Sequence, residues 1–243
     1  QPEALTSLAG LYERAREWKP LADVLEKQSE RVSGDELKQL LAKLGMIYAD
    51  KLTDDRGAVS AFQRLLTLDP DDKRAQEQLK RRYVAVKAWD ELEEFYAPSG
   101  KWDELIRTFE REAGNKDAAK SEQTDLFFRV ARLWERQDKS DRAAKAYEKV
   151  LELDPENNDA ALALTPIYEA VGDAKKLAGA YEVRLLHLQD PEERIVLLRE
   201  AGVLYEERIK RDDLAFAKYL EALGLDPMRD ILREDVNRLA PLV

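Results

Sequence analysis

Cysteine is absent from the 243-residue chain, and histidine occurs once, as His187. The first absence excludes a disulfide framework, a thiolate metal site and a cysteine nucleophile, and the second excludes a multi-histidine zinc or iron site. No cofactor and no metal are therefore expected. Glycine and proline are sparse, at ten and nine residues, and no apolar run approaches the roughly 20 residues that a membrane-spanning helix needs. The N-terminal QPEALTSLAG lacks the basic, apolar and small-residue order of a secretory signal, so a soluble chain without membrane insertion is expected, in the cytoplasm. A start at Gln1 rather than Met suggests a processed chain or a piece of a longer one.

What is present in quantity is charge. Charged residues make up 37% of the chain, 40 Lys and Arg against 50 Asp and Glu, for a net charge of −10. An acidic excess argues against a general nucleic-acid binder, which needs a basic surface. High charge of both signs with little glycine or proline is the composition of amphipathic helices, so an all-α chain is expected.

The tripeptide Leu-Asp-Pro occurs three times, at residues 68–70, 153–155 and 225–227. Upstream of each stands an aliphatic residue followed by an aromatic, Ile47-Tyr48, Leu133-Trp134 and Leu204-Tyr205, with the aromatic 20, 19 and 20 residues before the leucine. Tyr12, Tyr83 and Tyr168 extend this series, giving anchor-to-anchor gaps of 36, 35, 51, 34 and 37. The long gap holds a 13-residue local duplication, seen in Ala88-Trp89-Asp90-Glu91-Leu92 and Lys101-Trp102-Asp103-Glu104-Leu105, whose removal brings it to 38. Trp18, Trp89 and Trp102 each follow a tyrosine by six residues, which places tryptophan at the turn between paired helices. In DRAAKAYEKVLELDP, Ala143, Ala146, Tyr147 and Val150 recur at three- and four-residue spacing opposite a charged face, the pattern of a helix with one buried stripe. Proline after Leu-Asp cannot continue the preceding helix and suits the start of the next.

With these landmarks the chain resembles the tetratricopeptide repeat family, whose unit is a pair of helices of 34 residues. The family's small residue falls on Ala58, Ala143 and Ala215, and its second-helix aromatic on Phe62, Tyr147 and Tyr219. Its later small or apolar position is Leu65, Val150 and Ala222, and its proline is Pro70, Pro155 and Pro227. The units around Tyr12, Tyr83 and Tyr168 keep the first aromatic without the proline and are degenerate. The resemblance implies an α-α superhelix, a solenoid of about six helical pairs, with an irregularity near residues 88–115. Periodicity predicts fourteen helices between residues 2 and 239. The breaker Ala97-Pro98-Ser99-Gly100 suggests lobes at 1–99 and 100–243, or one continuous solenoid, and Pro166 suggests a kink near Leu162. Without a polar capping helix at either end, the segment looks cut from a longer array; its regular charged repeats are similar to those of bacterial scaffold proteins.

Catalysis has little to stand on, since there is no serine elbow and no glycine-rich phosphate loop. His187, near a helix end, reads as structural or solvated. The cluster Asp69-Pro70-Asp71-Asp72 lacks the glycine and glutamate of a calcium loop and reads as helix capping. Trp89 and Trp102 fit packing at a turn better than a partner hot spot. The resemblance further implies a concave groove lined by first-helix residues at fixed offsets from the aromatic anchor. Carried over, these are Ala42 and Met46; Glu77 and Arg81; Phe128, Arg132, Glu135 and Arg136; Leu162 and Pro166; and Arg199, Val203 and Glu206. Phe128 beside Arg132 and Arg136 suggests a pocket for an apolar side chain next to an acidic group, unless Phe128 packs internally. Arg81 and Arg132 could equally pair with Glu77 and Glu135, whereas Arg136 and Arg199 have no carboxylate at such a spacing. The function expected is a non-enzymatic, monomeric protein–protein interaction scaffold that binds a peptide or helix, acidic in character, and no nucleic acid. A self-associating spacer of a large assembly, or a substrate-recruiting domain of an enzyme encoded outside this chain, remains open.

Overall fold

The computed structural model describes residues 2–243 and contains fourteen α-helices, with no strand among the described residues. They are α1 (Pro2–Ala15), α2 (Trp18–Ser29), α3 (Gly34–Ile47), α4 (Asp55–Leu68), α5 (Lys73–Ala85), α6 (Trp89–Tyr96) and α7 (Trp102–Ala113). The series continues with α8 (Lys120–Glu135), α9 (Ser140–Leu153), α10 (Asn158–Val171), α11 (Ala174–His187), α12 (Pro191–Val203), α13 (Asp212–Leu225) and α14 (Asp230–Leu239). The chain divides into two compact units, the first ending at Lys101 and the second spanning Trp102–Val243. Within each unit every helix packs on its neighbours in sequence. Six pairs result: α1/α2, α3/α4, α5/α6, α8/α9, α10/α11 and α12/α13. Two helices, α7 and α14, stand outside these pairs; the duplicated Trp-Asp-Glu-Leu segment accounts for α7, because its two copies open α6 and α7 separately.

One turn design serves all six pairs. Each first helix ends in a residue with left-handed backbone: Arg16, Thr53, Lys87, Asp138, Gly172 and Lys210, with φ between 51° and 79°. The residue after it donates its amide to the carbonyl of the aromatic anchor, as in Ala88 to Tyr83 at 2.9 Å and Lys139 to Trp134 at 3.0 Å. That bond satisfies a carbonyl the helix end would otherwise leave open, and it fixes the distance from anchor to turn. Asp54 to Tyr48 and Arg211 to Tyr205 span one residue more. There the helix widens into a π-helical turn, Tyr48–Leu52 and Leu204–Ile209. These are the pairs whose anchor lies 20 rather than 19 residues from the Leu-Asp-Pro leucine, so the extra residue is absorbed without shifting either helix's buried stripe.

The repeated small and aromatic positions form the core. Ala58, Ala143 and Ala215 are wholly buried, and Phe62, Tyr147 and Tyr219 lie behind them with at most 3% exposure. Gly45 in α3 and Gly202 in α12 have no room for a Cβ, because the rings of Phe62 and Tyr219 press against those backbones. Tyrosine hydroxyls then stitch helices together. Tyr147, Tyr181 and Tyr219 donate to Glu135, Glu169 and Glu206 of their pair's first helix, while Tyr168 and Tyr205 donate to Glu148 and Glu182 of the preceding pair, all at 3.0–3.2 Å.

Breakers act as their chemistry dictates. Asp72 caps α5 by accepting from the amides of Arg74 and Ala75, which starts that helix at Lys73. Asn115 accepts from the amide of Asp117 in the turn after α7, and α8 starts at Lys120. Helix α10 runs without interruption through Pro166, an exposed position where the missing amide costs no buried partner.

Candidate partner-binding groove

The structure treats the expected groove residues unequally. In the first unit Met46 is half-buried on α3, and Glu77 on α5 is held by Lys80 at 2.9 Å and Arg81 at 3.3 Å. Those two cations keep the Glu77 carboxyl below the usual range, the Lys80 hydrogen bond most of all. Glu77 and Arg81 thus form the helical i,i+4 pair.

In the second unit Phe128 on α8 packs edge-on against Tyr147 of α9, with ring centroids 5.6 Å apart. Arg132 lies over the Phe128 ring at 6.0 Å, and Glu135 accepts the Tyr147 hydroxyl. Phe128 therefore has an intramolecular partner, and Glu135 is bonded to a tyrosine rather than to Arg132. Arg132 and Arg136 are exposed, with no carboxylate in ion-pair reach among the described residues. Leu162 and Pro166 are both exposed on α10. His187 reaches back to the backbone carbonyl of Glu156 at 2.6 Å, a structural tie between α11 and the turn before α10.

Further along, a cleft of about 490 Å³ is lined by residues of α10, α11, α12 with its π-turn, and α14. Its apolar surface includes Val196, Val203 and Ile231, all exposed, above buried Leu177, Ile195 and Leu232. Two of the offset residues, Arg199 and Val203, line it. Its cations are engaged: Arg199 Nε donates to Asp235 at 2.9 Å, Arg229 to Glu192 at 2.6 Å, and Arg208 to the Gly172 carbonyl at 3.0 Å. Its anions Glu200 and Glu207 carry no ion pair among the described residues, and Glu169 accepts only the neutral Tyr181 hydroxyl; these three outnumber Arg208, whose charge a carbonyl does not offset, so the unpaired charge of the cleft is negative. The offsets passed over Val196, Glu200, Glu207 and Ile231. Three of these could have been found, since Val196, Glu200, Val203 and Glu207 recur every three or four residues along one face of α12 and its π-turn.

Residues 40–72 and 125–157 match one family model described as Tetratricopeptide repeat, and residues 88–119 match a second of the same description. In these three stretches the chain carries tetratricopeptide repeats. Repeats of this family are protein–protein interaction scaffolds and are typically non-catalytic. Among solved structures the chain is similar to Pseudomonas aeruginosa pilF, at 14% identity and a TM-score of 0.36, covering 100% of this chain and 97% of that one. It is similar to YrrB, titled a TPR protein with an unusual peptide-binding site, at 15% identity and a TM-score of 0.35, covering 88% and 97%. The C-terminal part of a TPR repeat-containing protein from Cytophaga hutchinsonii is similar at 17% identity and a TM-score of 0.35, covering 97% and 88%. No curated protein matches the chain in sequence. Among the described residues no helix is long and apolar enough to cross a membrane, and no cluster of three or more His, Asp or Glu side chains could hold a metal ion.

Proposed function

We propose that this chain binds a peptide or helix of a partner protein in the cleft lined by α10, α11, α12 and α14. The observation that carries the reading is the pairing of unburied Val196, Val203 and Ile231 with unpaired Glu200 and Glu207 in one cleft. Apolar side chains left open at helical spacing gain about 25 cal/mol per Å² when a ligand covers them. Free carboxylates at the rim select against acidic ligands and steer basic ones. The ligand this cleft fits presents apolar residues one turn apart, with Lys or Arg beside them. The acidic ligand first suggested by Arg132 and Arg136 would instead dock on α8, where those two cations stay free.

Panning a random peptide library over the chain tests the reading, followed by titration of the selected peptide against a Val196→Asp, Val203→Asp variant. Both positions are exposed, so the variant should keep its helical circular dichroism. Selected peptides should combine apolar and basic residues and bind the variant about tenfold more weakly or worse. Peptides that bind both proteins equally would remove the cleft from the reading, and recovery of the chain's own sequences would favour a self-associating spacer.

A further inference from the structure

A second cleft, of about 610 Å³, lies between α7, α8 and α9 and shares no residue with the groove above. Its floor is apolar: Ile106, Val130 and Trp134 are buried, and Phe127 is half-buried. Phe127 and Phe128 are adjacent in sequence, but Phe127 lines this cleft while Phe128 packs on Tyr147. The walls carry Arg107, Arg142 and Lys145, all exposed.

Several cations of the molecule are matched to a carboxylate across helices, as Arg64 with Glu26, Lys176 with Glu148 and Lys218 with Glu182, at 2.6–2.8 Å; the three around this cleft are not. Around this cleft Arg107 donates its Nε to the carbonyl of Asp103, Arg142 rests 4.6 Å over the Trp134 ring, and Lys145 has no partner among the described residues. None of the three has a described carboxylate in ion-pair reach. The Arg142 guanidinium, held against the Trp134 ring, has no hydrogen-bond partner among the described residues, so its N–H groups are open to an incoming carboxylate.

We propose that this cleft binds an acidic segment of a partner protein, seating an apolar side chain against Phe127 and carboxylates on Arg107, Arg142 and Lys145. The α7 wall also carries Asp103 and Glu110, and the chain as a whole is at −10. A continuous run of phosphates would meet both repulsions, whereas carboxylates spaced along a peptide can sit on the cations and avoid the two acids.

The test uses the whole chain and three labelled probes: a glutamate-rich peptide with one central phenylalanine, the same peptide with serine in its place, and a single-stranded oligonucleotide. Fluorescence anisotropy at low salt should show the phenylalanine peptide binding most tightly, weakening by about tenfold or more in an Arg142→Glu, Lys145→Glu variant. A milder Arg142→Gln, Lys145→Gln variant guards against a folding defect and should weaken binding in the same direction. The Val196→Asp, Val203→Asp variant should bind this probe as the parent does. The proposal is overturned if neither peptide binds, if the glutamine variant binds as the parent does, or if the oligonucleotide binds more tightly than the phenylalanine peptide. It is equally overturned if sedimentation shows a dimer of the chain that these substitutions abolish, since the cleft would then be a self-contact.

Discussion

Arg199 Nε donates to Asp235 Oδ2 at 2.9 Å across 36 residues of sequence, and Arg238 donates to the other oxygen of the same carboxylate at 3.2 Å. Asp235 is only 9% exposed, and Arg238 also grips Glu206, which accepts the Tyr219 hydroxyl. The network fastens α14 to α12 and α13. Replacing Asp235 with Ala leaves the Arg199 guanidinium without its acceptor and Arg238 with Glu206 alone, which should cost about 1–2 kcal/mol, reduced from a fully buried case because the Arg199 side chain is 40% exposed. Urea denaturation measures this; a change below about 0.5 kcal/mol would mean that apolar packing alone holds α14.

This network also marks where the sequence stops being legible. The anchors Tyr12, Tyr48, Tyr83, Trp134, Tyr168 and Tyr205, with the Leu-Asp-Pro breaks, located all six turns, because helix ends are governed by local backbone chemistry. Of the residues at the family's groove offsets, Arg199 and Val203 line the cleft on α12. The offsets could not show that Asp235 binds Arg199, or that Tyr147 occupies the flank of Phe128 and the reach of Glu135. Those contacts join helices whose sequence separation follows no fixed spacing, so charge availability had to come from the structure.

The tyrosine–glutamate ties make stability depend on alkaline pH. Burial, with the neighbouring carboxylates adding to it, pushes the Tyr181 and Tyr205 phenols up to about 12, and Tyr147, Tyr168 and Tyr219 well above their usual range. Unfolded tyrosine titrates near 10, so above that pH the folded chain holds more protons than the unfolded one. Stability is then full below about pH 10 and falls as pH rises toward 12. Lys176, raised by Glu148, contributes in the same direction. A Tyr181→Phe, Tyr205→Phe variant isolates the phenols: its urea midpoint should decline less steeply over this range than that of the parent chain. Parallel declines would show that the Tyr181 and Tyr205 phenols contribute nothing to the effect.

Glycines separate packing from propensity. A Cβ on Gly202 would lie 2.7 Å from Cδ1 of Tyr219, and one on Gly45 would lie 2.7 Å from Cε1 of Phe62. Gly202→Ala and Gly45→Ala should each destabilise by about 2 kcal/mol through overpacking. Around Gly179, mid-helix in α11, a Cβ would meet nothing within 4 Å, and Gly179→Ala should stabilise by about 0.5–1 kcal/mol through helix propensity. A Phe62→Leu change should recover part of the Gly45→Ala loss. Equal effects at all three glycines, measured by urea denaturation, would mean that propensity, not ring contact, sets their role.

The π-turns make the sharpest claim about how sequence spacing becomes structure. Between Tyr48 and the left-handed Thr53 stand Ala49, Asp50, Lys51 and Leu52, whereas between Trp134 and the left-handed Asp138 stand only three residues. In both, the last residue before the left-handed position turns partly inward, Leu52 in one and Gln137 in the other. Deleting Lys51 therefore keeps Ala49 and Leu52 in their inward places and leaves a regular turn of the α8/α9 kind. The side chain lost is exposed, and its contact 5.3 Å over the Trp18 ring is worth about 0.5–1 kcal/mol at such a site. Removing a residue from inside a regular helix would instead rotate everything after it by about 100° and swing the buried face of α4 into solvent. The deletion variant should thus unfold in one cooperative transition, with its thermal midpoint only a few degrees from that of the parent. A lost or broadened transition would show that the widened turn is required for the packing of α3 on α4 rather than being an inserted residue that the turn absorbs.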